Sequence, residues 1–239
     1  MSQSNPETPI SGGEPHYRPL MDRLRARGVE RLGLMAGWAW HDDPRHLLFT
    51  LSRYKFVAKM VAGRERVLEV GCADGFATRL VAQTAKSVVG VDFDPQFIAD
   101  ATERGSDRWP IEYRVHDMLA GPLPEIFDAA FTLDVIEHIP PQHEEIFLAN
   151  ICASLTEGGV LIVGTPSLES QQFSSPQSKE GHVNCKSATD LQVLLSKYFA
   201  NVFMFSMNDE VVHTGFHKMA HYLMALCCGP KAPATRKRG

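Results

Sequence analysis

The chain has little cysteine, and what it has is poorly placed for cross-links. The five cysteines are Cys72, Cys152, Cys185, Cys227 and Cys228, an odd number with no C-x-x-C pair. That usage fits a reduced, cytoplasmic setting and excludes a disulfide scaffold. No apolar run approaches the roughly 18 residues of a membrane-spanning helix. Residues 1–19 are polar and proline-bearing, without the apolar centre of a secretory leader. Positive charge is also short: residues 1–230 hold 20 basic against 28 acidic residues, within a net charge of −4 for the whole chain. Such an acidic body speaks against nucleic acid as the main partner. No heptad or broad apolar stripe forces association, so monomer and dimer both stay open. What is left is a cytoplasmic globular protein with neither nucleic-acid nor membrane partners. Its 239 residues, 44% of them hydrophobic, suffice for one buried core with added elements.

Residues 1–16 carry no periodicity and read as disordered, and 230–239 read as a basic flexible tail. Residues 17–62 read as a helical extension or lid. Within it Leu47, Leu48, Leu51, Tyr54, Val57, Ala58 and Val61 recur at three- and four-residue steps, and Asp43-Pro44 is a helix start. Trp38, Trp40 and His41 form an aromatic cluster suited to a lid or a packed helix. From residue 63 the pattern alternates. Strands are predicted at 66–70, 87–91, 111–115, 127–133, 159–164, 200–207 and 217–227, and helices at 75–84, 95–104, 142–155 and 187–198. Short apolar strands between amphipathic helices predict an α/β fold, a doubly wound, mostly parallel sheet. No helix separates the last two strands, so the seventh is predicted to run antiparallel. The 165–186 connection is too long for a plain turn and reads as a substrate loop.

The densest signal is Val67-Leu68-Glu69-Val70-Gly71-Cys72-Ala73-Asp74-Gly75, an apolar strand entering a glycine turn. Gly71 and Gly75 let a ligand approach the backbone. Seventeen residues after Gly75, Asp92 ends a second apolar run, where a carboxylate can accept hydrogen bonds from a ribose diol. Glu69 is an acid within an apolar strand and needs a partner, for which a ligand's amino group is suited. The third glycine of G-x-G-x-x-G is missing. Asp74 would also set negative charge against a pyrophosphate, which argues against a dinucleotide and a nicotinamide-dependent oxidoreductase.

Glu-x-Gly-x-x-x-Gly, the acid at Asp92, His116-Asp117-Met118 after the third strand and Leu133-Asp134-Val135-Ile136-Glu137-His138 after the fourth together resemble class I S-adenosylmethionine-dependent methyltransferases. The resemblance covers about residues 50–227 and is nearest the small-molecule branch that includes ubiquinone-biosynthesis O-methyltransferases. It implies a Rossmann-like seven-stranded sheet with an antiparallel last strand, and S-adenosylmethionine as methyl donor. By resemblance Glu69, Gly71, Cys72, Asp74 and Gly75 surround the methionine part, Asp92 holds the ribose and Phe93 lies against the adenine. Asp117 accepts from the adenine amino group and Met118 covers the ring. Asp134 lies near the methionine amino group or the acceptor, and Arg53 is a candidate for the methionine carboxylate. Ala73 departs from the glycine that many relatives carry.

Methyl transfer asks for an in-line nucleophile and a dry site, with a general base if the nucleophile is a hydroxyl. His138, after Glu137, is the nearest candidate base, and His182 in the 165–186 loop is the second. Asp134, Glu137, His138 and His182 also form a donor set for a divalent metal, similar to that of some RNA 3′-end and ubiquinone-pathway enzymes. The metal is left open. The reading is transfer of a methyl group to an oxygen of a small metabolite, such as a sugar, a nucleotide-sugar or another biosynthetic intermediate. An N-methyltransferase and a non-catalytic cofactor-binding protein of the same fold stay as alternatives.

Overall fold

The computed structural model describes residues 14–231. It separates two units, Met1–Leu32 and Gly33–Gly239. In the first, Pro15–Tyr17 forms a 3-10 turn and α1 (Arg18–Arg27) follows, exposed along its whole length. Gly28 stops it at φ 80°, donating its N–H to the Leu24 carbonyl at 2.8 Å. The disorder expected up to residue 16 lies mostly outside the described residues, though 15 and 16 enter the turn. The flexibility expected of the tail lies outside them from residue 232 on.

The second unit starts with α2 (Leu34–Asp42) and α3 (Arg45–Met60). The Asp43 carboxylate receives the Arg45 N–H at 3.1 Å, so the Asp43-Pro44 start is formed. The chain then alternates through β1 (Val67–Val70), α4 (Thr78–Ala82), β2 (Val88–Asp92), α5 (Pro95–Glu103), β3 (Glu112–Val115), β4 (Phe127–Leu133), α6 (Glu144–Ala153) and β5 (Leu155–Pro166). It continues through α7 (Pro176–Gly181), α8 (Ala188–Leu195), β6 (Phe199–Asn208), β7 (Val211–His213) and β8 (Tyr222–Pro230). The strands form one sheet in the order β3-β2-β1-β4-β5-β8-β6-β7. The pairs joining β1 to β5 are parallel, and β8 lies antiparallel between β5 and β6. The sheet is thus Rossmann-like and doubly wound, with the expected antiparallel ending.

It has eight strands, one more than predicted. Asn208 and Val211 face each other across Asp209-Glu210, and Asp209 takes φ 49°, so the polar loop closes as a hairpin. The last strand also starts later than predicted, because His217–Met219 makes a 3-10 turn before it. Among the described residues no helix is long and apolar enough to cross a membrane.

Strand alternation divides the core between two faces. Leu68, Val70, Val89 and Val91 pack on one side with Phe147, Leu148 and Ile151 of α6 and Leu191, Leu194 and Leu195 of α8. Val67, Val88, Phe131 and Ile162 pack on the other with Tyr54, Val57 and Ala58 of α3, Val61 just after it, and Val81 of α4. The α3 stripe read from the sequence is therefore a core face except at Leu48, which is 49% exposed, and it brings Tyr54 and Arg53 beneath the strand ends. Phe131 is fully buried and meets Tyr54 edge-on, with ring centroids 5.7 Å apart. Phe131→Ala is expected to cost about 3–5 kcal/mol, measured as a lower urea midpoint at unchanged slope.

Candidate active site

The cleft lies beyond the carboxyl ends of β1 and β4 and encloses about 300 Å³. Gly71, Cys72, Ala73, Asp74, Phe76 and Ala77 form one wall, and Leu133, Asp134 and His138 a second. Met35, Ala36 and Ala39 of α2 with Leu47, Thr50 and Tyr54 of α3 close it. That volume falls at the lower end of small-molecule sites.

The glycine turn is tight for identifiable reasons. Gly71 has φ 77°, and a Cβ there would strike the Val135 side chain. Its N–H and that of Cys72 both donate to the Val91 carbonyl, at 2.8 and 3.0 Å, which fastens the turn to β2. Ala73, where glycine is usual in the resembled family, sits at φ 44° and accepts the strain of the left-handed region. Its N–H donates to Asp92 Oδ2 at 2.9 Å, while Asp94 N–H donates to Asp92 Oδ1 at 3.0 Å. Each oxygen keeps a lone pair, enough for two ribose hydroxyls. Burial pushes the Cys72 thiol up, so it stays neutral, and Sγ donates to the Ala73 carbonyl at 3.7 Å within the turn.

Three side chains expected to meet the cofactor have partners within the protein. Glu69 is 1% exposed, and its oxygens accept from Tyr54 Oη and from Thr78 Oγ1, the latter at 2.6 Å. Both of its oxygens therefore have protein partners. Burial pushes its pKa up to about 7. Asp74 Oδ2 accepts from Ala36 N–H at 2.8 Å and Oδ1 from Phe76 N–H at 3.1 Å, so its carboxylate is occupied by backbone. Arg53 is turned to Asp134, with Nη1 at 2.9 and 2.7 Å from the two carboxylate oxygens, and its guanidinium lies 3.8 Å from the centre of the Tyr222 ring. It is therefore an anchor for Asp134, which holds φ 57° at the cleft wall.

The three residues expected around an adenine differ in exposure. Phe93 is 73% exposed just past β2. Asp117 stands past the neighbouring β3, with Oδ1 accepting the Leu119 N–H at 2.8 Å. Met118 is buried in the sheet core and its carbonyl accepts from Asn150 Nδ2 at 2.7 Å.

At the far wall Glu137, His138 and His182 come together, with donor atoms within 4.8 Å of one another. His138 Nδ1 lies 2.9 Å from the Gly181 carbonyl, and His182 Nδ1 lies 2.9 Å from Gln171 Oε1. Both acceptors require a protonated Nδ1, so in the neutral ring it is Nε2 that carries the lone pair. Burial, then neighbouring His138, holds His182 below the usual histidine range. Glu137 is fully buried: Oε2 accepts from Thr165 Oγ1 at 3.0 Å and Oε1 has no partner. Burial and then the Asp134 charge push Glu137 up to about 8. Asp134, the fourth member of the expected metal set, stays with Arg53.

Sequence reasoning missed Tyr54 and Thr78 as the partners of Glu69, and Thr165, Gln171 and Gly181 as the supports of the imidazole pair. The apolar periodicity of α3 marks Tyr54 as inward-facing, but nothing local marks Gln171.

Residues 68–163 match the family model described as a methyltransferase domain. The chain is 34% identical over 115 residues to a probable S-adenosylmethionine-dependent methyltransferase of Mycolicibacterium smegmatis, covering 47% of this chain and 42% of that one. It is 30% identical over 159 residues to a ubiquinone biosynthesis O-methyltransferase of Xanthomonas campestris, covering 63% of this chain and 65% of the relative. It thus spans less than two thirds of either relative's length. The fold is similar to the crystal structure of the N-methyltransferase NodS from Bradyrhizobium japonicum in complex with S-adenosyl-L-homocysteine, with a TM-score of 0.59 and 22% identity, over 82% of this chain and 92% of that one.

Glu69 gives a pH dependence whose sign can be worked out. Its pKa is raised from 4.5 to about 7 by folding, so between these values the folded protein keeps a proton that the unfolded chain has released. Its contribution is fully present below the lower value and is lost as pH rises through the upper one. Glu69→Gln is expected to remove this loss, so that its melting temperature gains on the wild type between about pH 5 and pH 8 in parallel thermal scans.

Proposed function

We propose that this chain, whose residues 68–163 match a methyltransferase domain, is a class I S-adenosylmethionine-dependent methyltransferase that transfers a methyl group to an oxygen of a small metabolite in a cytoplasmic setting. A sugar, a nucleotide-sugar or another hydroxyl-bearing intermediate fits the acidic body and the long loop after β5. The observation that carries the oxygen reading is the paired imidazole arrangement, with both Nδ1 atoms anchored and both Nε2 atoms carrying the lone pair. S-adenosylmethionine, when bound, supplies a methyl group already activated by its sulfonium.

The chain's own residues do the rest. The Gly71–Gly75 backbone receives the methionine end, Asp92 the ribose, and Phe93 and Asp117 the adenine. Arg53 fixes Asp134 at the wall against which the acceptor rests. His138 Nε2 takes the hydroxyl proton as the oxygen–carbon bond forms and the carbon–sulfur bond breaks, its electron pair staying on sulfur. Met35, Ala39, Leu47 and Phe76 keep water from the reacting atoms.

Isothermal titration is expected to give micromolar binding of S-adenosylmethionine. Asp92→Ala should weaken it about 10- to 100-fold, the range for hydrogen bonds to a charged group. No binding by the wild type would remove the reading.

Glu137, His138 and His182 also fit a divalent ion. The unpartnered buried Glu137 Oε1 and the two imidazoles with anchored Nδ1 are what a ligand set requires. A metal held there would fix an acceptor oxygen and lower its pKa. Equilibrium dialysis against Zn²⁺ or Mn²⁺ is expected to load one ion per chain, and His182→Ala should abolish loading. A wild-type protein that stays metal-free, with turnover indifferent to chelators, would leave His138 as a simple base.

A further inference from the structure

α2 is a poorly anchored helix by its own sequence. Ala36 is its only buried residue, while Leu34, Met35, Trp38 and Trp40 are each more than half exposed. It has no capping side chain of its own: its N-cap is Gly33, at φ 109° and ψ 172°, a backbone shape reserved for glycine. The free amides of its first turn are satisfied from elsewhere. Ala36 N–H donates to Asp74 Oδ2 at 2.8 Å and Leu34 N–H to Asp100 Oδ2 at 3.3 Å. Arg104 joins these two acids, with Nε 2.9 Å from Asp100 Oδ2 and Nη2 on the Asp74 carbonyl. The packing leaves no slack, because a Cβ on Gly33 would stand 2.6 Å from Asp74 Oδ2 and 2.7 Å from Arg104 Nη2.

Asp74 belongs to the turn that receives the methionine end, yet its carboxylate faces the helix that supplies Met35, Ala36 and Ala39 to the cleft. We infer that Asp74 is a positioning residue that couples the two: when S-adenosylmethionine settles the 71–75 turn, the same carboxylate fixes α2 and completes the acceptor wall. Gly33 is the hinge, and Asp100 with Arg104 aligns the latch. The acceptor wall is therefore ordered by the methyl donor, so donor binding precedes acceptor binding. This rests on the methyltransferase reading for its ligand, but the latch is a property of the chain.

Hydrogen–deuterium exchange of the 34–42 segment tests it, using S-adenosylhomocysteine as the probe. In the full-length wild type, saturating probe is expected to slow exchange across α2 by about ten-fold or more. In Gly33→Ala, which substitutes no residue of the turn but crowds the Asp74 carboxylate, titration should show probe affinity within about three-fold of the wild type while α2 protection falls to about two-fold or less. Asp74→Asn should lose the same protection, since Phe76 and Ala36 donate to different carboxylate oxygens and the NH2 that replaces one of them cannot accept. Probe binding without any change at α2 in the wild type, or full protection of α2 in both variants, would overturn the latch alone. A wild type that binds no probe would overturn the methyltransferase reading and the coupling together.

Discussion

A carboxyl group enclosed between α3, β1 and α4 must find partners inside the protein, and the arrangement of the site follows from how Glu69 does so. Tyr54 reaches it from the helix and Thr78 from the far side of the glycine turn. Breaking either bond would leave a buried acid unsatisfied, a cost of about 1–3 kcal/mol. The three groups therefore fix the height at which α3 crosses the strand ends. That height in turn brings Arg53 against Asp134 and Leu47 and Thr50 to the cleft. The turn above Glu69 owes its stiffness to the same contacts, together with the amides delivered to Val91 and Asp92.

The division of charge around the far wall has one origin. Arg53 is almost wholly enclosed and gives its hydrogen bonds to Asp134, which holds that acid in place with a backbone shape that few residues tolerate. The fixed charge on Asp134 then adds to burial in raising Glu137. Two acids three residues apart are thereby given different characters, one an ion-pair member and the other a proton holder or metal donor.

Features set by neighbours in the chain were readable from the sequence, and features set by distant residues were not. The β1 strand, its glycine turn and the acid at the end of β2 form a local pattern, and each stands where the pattern puts it. The α3 stripe fixed which face of the helix is buried. Which polar group meets which was invisible: Arg53 and Asp134 lie 81 positions apart, and either alone looks like a ligand for a cofactor. The partner of Asp74 was hidden for the same reason, since a carboxylate in a glycine turn gives no sign that a helix start 38 residues earlier needs it. The eighth strand was missed because three residues are too few to show alternation against a polar hairpin.

The last strand lies inside the sheet, with β5 on one side and β6 on the other. A ribosome releases this chain from the other end, so β1 to β5 can pair as they emerge, whereas β6 and β7 have nowhere to dock until residues 222–230 have left the exit tunnel. For that interval the β5 edge carries open backbone donors and acceptors, the kind of edge that recruits a stray strand. The final insertion is a long-range closure, which pairs residues 222–230 with β5 on one side and β6 on the other.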